Sequence, residues 1–556
     1  MRRHWLKYLR VAIALPVLAI LTAAFLDFRG LVPTQLAHAL AHVQFVPAAL
    51  ALGTGASLVL AAAAILAVTL ALGRVYCSVL CPLGLLQDAV ARLAAWCRRQ
   101  PLLLRHTRPA TGVRQLFLWG TVAGIAAGWA GLTLTLLDPY SIFGRIGSML
   151  LRPVVTQLNN WLVAPAGALG LDGLYRVEPQ WAAAGALALP AATLLLVAIL
   201  SARRGRLYCN TVCPVGTLLG LLSRFGAFRL EIDRDRCRRC GDCLRVCKAQ
   251  CIDLRHGTID NSRCVACFNC IDACDELGIH HRFKWRPETG QRKPETRATP
   301  PSAGDPPSAI THRPSSIADD AASRRAFITG TAAGLVSTTG LGSLLLAAAL
   351  PRRDDESSDD TRPPADPPNH GRGTICPPGS GSVARFLDRC TACQLCVSAC
   401  PTHVLQPAFL EYGLGGIMKP RLDFNRSFCN FDCHRCAEVC PDGAILPMPL
   451  PDKQLTCLGI AHIDYAKCIV KANGTDCAAC SEHCPTQAVS TVPHGDNLRL
   501  PEMHPELCIG CGACEYACPV RPERAIVVTA RAVHSRAERK IEAPASAPVP
   551  DDDFPF

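Results

Sequence analysis

"CRRCGDCLRVC", residues 237–247, decides how this 556-residue chain is read. Cys237, Cys240, Cys243 and Cys247 follow C-x2-C-x2-C-x3-C, and Cys264, Cys267, Cys270 and Cys274 repeat the spacing in "CVACFNCIDAC". Runs of this kind hold [4Fe–4S] cubes in pairs: three thiolates of one run serve one cube and the fourth serves its neighbour. The expected sites are Cys237, Cys240, Cys243 with Cys274, and Cys264, Cys267, Cys270 with Cys247. Zinc is the competing reading, but a zinc site usually draws on two pairs of ligands rather than two runs of four. Lys248 and Asp275 stand where a Pro usually follows the fourth Cys, a departure expected to alter solvent access more than ligation.

Composition agrees with a large metalloprotein rather than a disulfide scaffold. The chain has 32 cysteines, and most are grouped in such runs. It is 49% hydrophobic with a mean hydropathy of +0.20, and its net charge is +12. The arginines flank apolar stretches instead of forming one basic patch, so membrane topology accounts for the charge and no nucleic-acid partner is expected.

Ahead of Cys237 lie four uncharged segments, roughly Val11–Leu26, Val46–Leu72, Gln115–Leu137 and Trp181–Ala202. A membrane-crossing helix needs about 20 such residues. Buried core helices are the alternative for any one of them. Arg2, Arg3, Lys7 and Arg10 precede the first. Seven arginines from Arg74 to Arg114 join the second to the third, and Arg203, Arg204 and Arg206 follow the fourth. The positive-inside rule then puts both ends of this unit in the cytoplasm.

The same unit contains a tandem repeat. "RVYCSVLCPLG", 74–84, and "RLYCNTVCPVG", 206–216, share R-x-Y-C-x3-C-P-x-G, each after a pair of apolar segments. Thiols four residues apart can share a helical face, and the Pro fixes the backbone beside the second Cys. Two such hairpins could bring Cys77, Cys81, Cys209 and Cys213 together as a redox or quinol-proximal site. Redox thiols, metal ligands and inert buried thiols all remain open on spacing alone.

Beyond the first two runs, residues 286–322 are rich in Pro, Ser, Thr and charge, as a disordered linker is. "SRRAFITG" from Ser323 then opens an uncharged stretch ending near Leu350, which reads as a twin-arginine export signal and a fifth, signal-anchor-like span. A second linker, 351–374, precedes four more runs: Cys390, Cys393, Cys396, Cys400; Cys429, Cys433, Cys436, Cys440; Cys468, Cys477, Cys480, Cys484; and Cys508, Cys511, Cys514, Cys518. By analogy with paired cubes, the outer two runs are expected to exchange fourth ligands with each other, and the inner two likewise. Cys518 would then join Cys390, Cys393, Cys396; Cys400 would join Cys508, Cys511, Cys514; Cys484 would join Cys429, Cys433, Cys436; and Cys440 would join Cys468, Cys477, Cys480. "CNFDCH", 429–434, resembles a haem-attachment motif with one residue too many, and its cysteines are needed by a run, so c-type haem is discounted. Cys97, Cys251, Cys376 and Cys457 are left over and read as structural or incidental thiols.

The fold class read from these features is membrane α-helical, four spans plus a fifth, with α+β ferredoxin-like [4Fe–4S] domains. The parts are a four-span unit (1–230), a two-cluster domain (231–285), the linker 286–322, the signal or fifth span 323–350, the linker 351–374, a four-cluster domain (375–528) and a flexible tail (529–556). Residues 1–285 resemble the NapH-type membrane ferredoxins, and residues 323–528 resemble the NapG-type (also MauM-type) exported ferredoxins, here in one polypeptide instead of two. The resemblance implies a multi-pass protein of the bacterial inner membrane, its two-cluster domain cytoplasmic and its four-cluster domain periplasmic. It further implies six [4Fe–4S] clusters, with membrane quinol as electron donor and a periplasmic reductase or c-type cytochrome as acceptor. Folded export would use the twin-arginine machinery. The alternatives are a maturation factor that reduces a metal or thiol of another protein, and a passive docking module.

Overall fold

The computed structural model describes residues 5–50, 56–98, 106–168, 174–283, 372–495 and 497–539. The expected linkers up to residue 371, the tail beyond residue 539 and the "SRRAFITG" segment with its fifth span lie outside these residues; the start of the expected flexible tail, 529–536, is instead the end of the strand Ile526–Arg536.

Two of the four expected spans are single long apolar helices. Trp5–Leu26 has 22 residues and Ala184–Arg204 has 21; by length and composition both can cross a membrane, and among the described residues they are the only two that can. The other two depart from expectation. The second is a 17-residue helix, Ala56–Leu72. The third is divided into Thr111–Ala126 and Ala130–Leu137 by a turn in which Gly128 takes a φ of +81°. A left-handed glycine ends a helix by supplying a backbone that other residues adopt only with strain. Among the described residues, two long helices and several shorter apolar ones thus stand where four spans were expected.

The cysteine runs fold into three copies of one unit, in which a run, a β-hairpin and a second run follow in order. Ile252–Asp253 pairs with Thr258–Ile259 between the runs at Cys237 and Cys264. Leu405–Pro407 pairs with Pro420–Leu422 between those at Cys390 and Cys429, and Val489–His494 with Leu498–Met503 between those at Cys468 and Cys508. In two units a second antiparallel pair closes the ends: Phe228–Ile232 with Ile279–Phe283, and Thr456–Ile463 with Ile526–Arg536. A hairpin returns the chain, so each run is delivered beside its sequence neighbour.

The first helix fixes where these units sit. Near its start, Lys7 pairs with Asp272 of the two-run domain at 2.5 Å. At its other end, Phe25 is fully buried in the core that contains Cys390, Cys393, Cys396 and Cys400, and its carbonyl accepts from Ser398 Oγ at 3.2 Å. Eighteen residues of helix separate the two contacts, about 27 Å at 1.5 Å per residue. The Ala184–Arg204 helix repeats the arrangement. Ala186 packs with Ala392 and Met418 at one end, and just past the other end the Arg206 N–H donates to the Lys248 carbonyl at 3.0 Å.

Candidate redox site

The three units carry a backbone signature that a thiolate cage requires. In all four regular runs the second residue after the first Cys and the first after the second Cys are left-handed: Arg239 and Gly241, Ala266 and Phe268, Ala392 and Gln394, Gly510 and Gly512. Five of the eight are not glycine, and a non-Gly residue at positive φ is uncommon and needs its surroundings to hold it. The third residue after the fourth Cys is also left-handed at Gln250, Leu277, His403, Gly443 and Gln487. Backbone N–H groups point at sulfur: Ala392 to Cys390 and Gly510 to Cys508, each at 3.4 Å, and Ile445 to Cys440 at 3.3 Å. Donors on sulfur favour the thiolate that iron binds.

Ligand grouping follows from which thiols face one another. Cys237, Cys240, Cys243 and Cys274 line one cavity of about 160 Å³, as expected for the first cube. Cys264, Cys267, Cys270 and Cys247 line another. Cys251, read as incidental, also lines it and lies 3.7 Å from the Cys247 sulfur. In the C-terminal region the expected exchange is corrected. Cys396 neighbours Cys393, Cys390 and Cys440, and Cys436 neighbours Cys429, Cys433 and Cys400. Cys468, Cys477 and Cys480 share a cavity with Cys518, while Cys514 neighbours Cys511, Cys508 and Cys484. The first run therefore exchanges with the second and the third with the fourth, because the intervening hairpins bring successive runs together. Burial pushes the Cys243 thiol up to about 12 and the Cys508 thiol up to about 11. Such crowded thiols stay protonated unless a cation replaces the protons, which fits an iron–sulfur cage. Among the described residues no three His, Cys, Asp or Glu side chains are spaced to share a single ion.

The two C-x3-C-P hairpins do converge. In each, the first Cys sits in a short helix, Tyr76–Val79 or Leu207–Thr211. The second Cys caps the next helix, Pro82–Cys97 or Pro214–Ser223, with the Pro at its first turn, where a missing N–H costs nothing. The motif arginines cross over. Arg206 donates to the Cys77 carbonyl at 2.5 Å, and Arg74 donates to the Cys209 carbonyl at 3.3 Å. The motif glycines make room for them: a Cβ at Gly84 would lie 2.5 Å from the Cys77 oxygen, and one at Gly216 would lie 2.3 Å from the Cys209 oxygen. All four thiols are buried. Gln87 donates to Cys209 Sγ at 3.1 Å and the Gly216 N–H to Cys213 Sγ at 3.3 Å. Burial, then the neighbouring Cys77, push the Cys209 thiol up to about 11 against the opposing pull of Arg206 and Arg74.

Sequence reading missed the charges that lock this site. Asp88 accepts from Arg206 at 2.8 and 2.9 Å and from Lys248 at 2.6 Å, and Arg10 lies 3.9 Å away. Burial alone would raise the Asp88 carboxyl, but Arg206 and Lys248 outweigh it and hold it well below the usual carboxylate range. Lys248 is the residue that replaces the usual Pro; the departure was the available signal, and its role is to tie the two-run domain to the thiol site.

The thiol site lies between the two cluster regions. Cys77, Cys81 and Cys213 share one core with Cys267 of the two-run domain and with Ile142 and Ile146. Across that core, Tyr140 and Phe143 belong to the core holding Cys390, Cys393 and Cys396. Fully buried Arg145 donates to the Ala392 carbonyl at 3.5 Å and lies within electrostatic reach of both Tyr208 and Cys393.

Comparison with known proteins bears on both halves. Residues 54–101 and 186–233, which contain the two C-x3-C-P motifs, match a 4Fe-4S binding domain. Residues 389–444 and 473–521 match a 4Fe-4S dicluster domain, each match holding ligands of two successive runs. The ferredoxin-type protein NapF of Escherichia coli K12 is 32% identical over 167 residues, which cover 29% of this chain and 87% of that protein. The methylamine utilization ferredoxin-type protein MauN of Methylobacillus flagellatus is 28% identical over 32% of this chain and 48% of its own. The ferredoxin-type protein NapG of Escherichia coli K12 is 31% identical over 26% of this chain and 64% of its own. No solved structure matches. 4Fe–4S ferredoxin domains are thus present.

Proposed function

The chain belongs to the family of ferredoxin-type NapF proteins, and from this premise we propose that it is a membrane-bound quinol dehydrogenase. It passes electrons from membrane quinol through [4Fe–4S] clusters to a periplasmic reductase or c-type cytochrome of a nitrate-reductase-like system. In this reading a NapH-type unit and a NapG/MauM-type unit are fused, with the domain limits given above. The 24 run cysteines hold six cubes, and Cys77, Cys81, Cys209 and Cys213 form the redox link between the two regions. The iron–sulfur groups supply one-electron carriers; the protein supplies the thiolate cages, the N–H donors on sulfur and the dry core between them.

The observation that carries the reading is that Cys77, Cys81 and Cys213 share a buried core with Cys267 and Ile142, while the adjoining Tyr140 and Phe143 belong to the core holding Cys390 and Cys393. Two long apolar helices contact a cluster region at each end, and the first spans about 27 Å between its contacts against a hydrocarbon thickness of about 30 Å; this supports placing those regions on opposite sides of the bilayer. A maturation factor acting in the cytoplasm has no use for the second region. The test is anaerobic reduction of the full-length, membrane-extracted protein by a short-chain menaquinol, followed by the loss of cluster absorbance. Reduction to the extent dithionite achieves is expected. A chain that dithionite reduces and quinol leaves oxidised would refute the reading.

A further inference from the structure

A second space lies away from the C-x3-C-P thiols. It is a cavity of about 610 Å³ where the end of the first helix meets the C-terminal cluster domain. One wall is the turn and short helix after Leu26, with Phe28, Val32 and Thr34. The other wall is the Leu395–His403 stretch and the helix of Arg435 and Glu438. Cys400, a cluster ligand grouped with Cys429, Cys433 and Cys436, opens into it.

The turn is built to keep the space open. Asp27 accepts backbone N–H bonds from Arg29, Gly30 and Val32 at 2.7–2.9 Å, which fixes the chain's exit from the helix. Gly30 takes a φ of +71°, a turn that favours glycine, and the Arg435 guanidinium lies in ordinary contact distance of it. Arg152 is buried behind it, within electrostatic reach of Asp27 and Cys400. The walls combine charged and polar groups, among them Arg29, His403 and Glu438, with apolar ones such as Phe28, Val32 and Leu395, and the volume lies within the range of about 300–1,000 Å³ usual for a small-molecule site.

We propose that this cavity binds the headgroup of a membrane quinol and delivers its electrons to the cluster held in part by Cys400. The inference rests on the quinol-oxidising reading above and names its site. A quinol needs apolar contact for its ring and hydrogen-bonding groups for its two hydroxyls, and it reaches a protein only from the bilayer; an opening beside the end of an apolar helix meets all three conditions. In the reaction the two O–H bonds break and the quinol is oxidised to quinone. Its two electrons pass singly to two oxidised clusters, which are reduced, and the two protons go to water at the mouth beside exposed Gln35.

The test uses the full chain in lipid nanodiscs of phosphatidylethanolamine and phosphatidylglycerol, with an azido-naphthoquinone photolabel and a short-chain menaquinol. Gln35→Trp and Thr34→Trp narrow the mouth from positions that are exposed or half-buried, so folding is spared. The label is expected on peptides spanning 24–37 or 395–403 and should fall about tenfold in both variants. Quinol-driven reduction should fall about tenfold too, with iron content and dithionite reduction unchanged. Labelling of the C-x3-C-P hairpins instead, or full quinol activity in both variants, overturns the inference while leaving the quinol reading intact. A parent chain that is neither reduced nor labelled overturns both.

Discussion

At the scale of single residues, the repeated R-x-Y-C-x3-C-P-x-G motif is accounted for nearly position by position. Its arginines cross between the copies, its glycines admit them, and its prolines open the following helices. The sequence showed the repeat but not the crossing, because a donor's partner 130 residues away leaves no local spacing. Asp88 was invisible for the same reason. Removing it should strand a fully buried Arg206 and the largely buried Lys248 without a counter-charge, and breaking a buried pair from one side costs about 3–5 kcal/mol. Asp88→Asn is therefore expected to lower the unfolding midpoint of the membrane-extracted protein markedly. The pH dependence has a definite sign. The carboxyl's folded pKa is depressed, so its stabilising contribution is full above the unfolded value of about 3.9 and is lost only as pH falls through the folded one. The difference between Asp88→Asn and parent should hold constant from neutral pH down to about 5 and narrow only below about 4. A difference that vanishes near pH 6 would show that the ion pair is not what the substitution removes.

At the scale of elements, the cluster runs were legible because three-residue spacing is local chemistry, and their pairing was not because it depends on tertiary return of the chain. One fact of the fold decides it: a hairpin lies between the first and second runs and another between the third and fourth, and none joins the second to the third. The consequence can be measured. Cys440→Ser should open the cage of Cys390, Cys393 and Cys396, whereas exchange between the inner two runs would have it open that of Cys468, Cys477 and Cys480. Alkylation of the native protein followed by peptide mass spectrometry distinguishes them: the first three thiols are expected to become reactive, the other three to remain protected. Iron should fall from about 24 to about 20 atoms per chain as one cube is lost. The apolar segments teach the opposite lesson. Hydropathy identified the two long helices, but it could not register the Gly128 turn that splits the third segment.

At the scale of the whole molecule, two cluster regions lie at opposite ends of the same helices, and the proposed function requires electrons to pass between them. Cys77, Cys81 and Cys213 share a core with Cys267 on one side; on the other, Tyr208 lies within electrostatic reach of Cys209, Cys213 and Arg145, and Arg145 donates to the Ala392 carbonyl. If these thiols, or a group they hold, form the link, then cutting it should divide the molecule into two redox compartments without damaging either. Cys77→Ser and Cys209→Ser are suited to this, since a hydroxyl nearly conserves volume in a packed core and no run ligand is touched. Dithionite should still reduce both regions fully. Quinol-driven reduction, which enters at one region, should become biphasic: one group of clusters reduced at the parental rate, the other slowed by about tenfold or more. The slow group can be identified by its spectrum after selective loss of either region's cubes, for example in the Cys440→Ser background. Single-phase reduction at the parental rate would mean that the thiols only brace the junction and that electrons pass by another route.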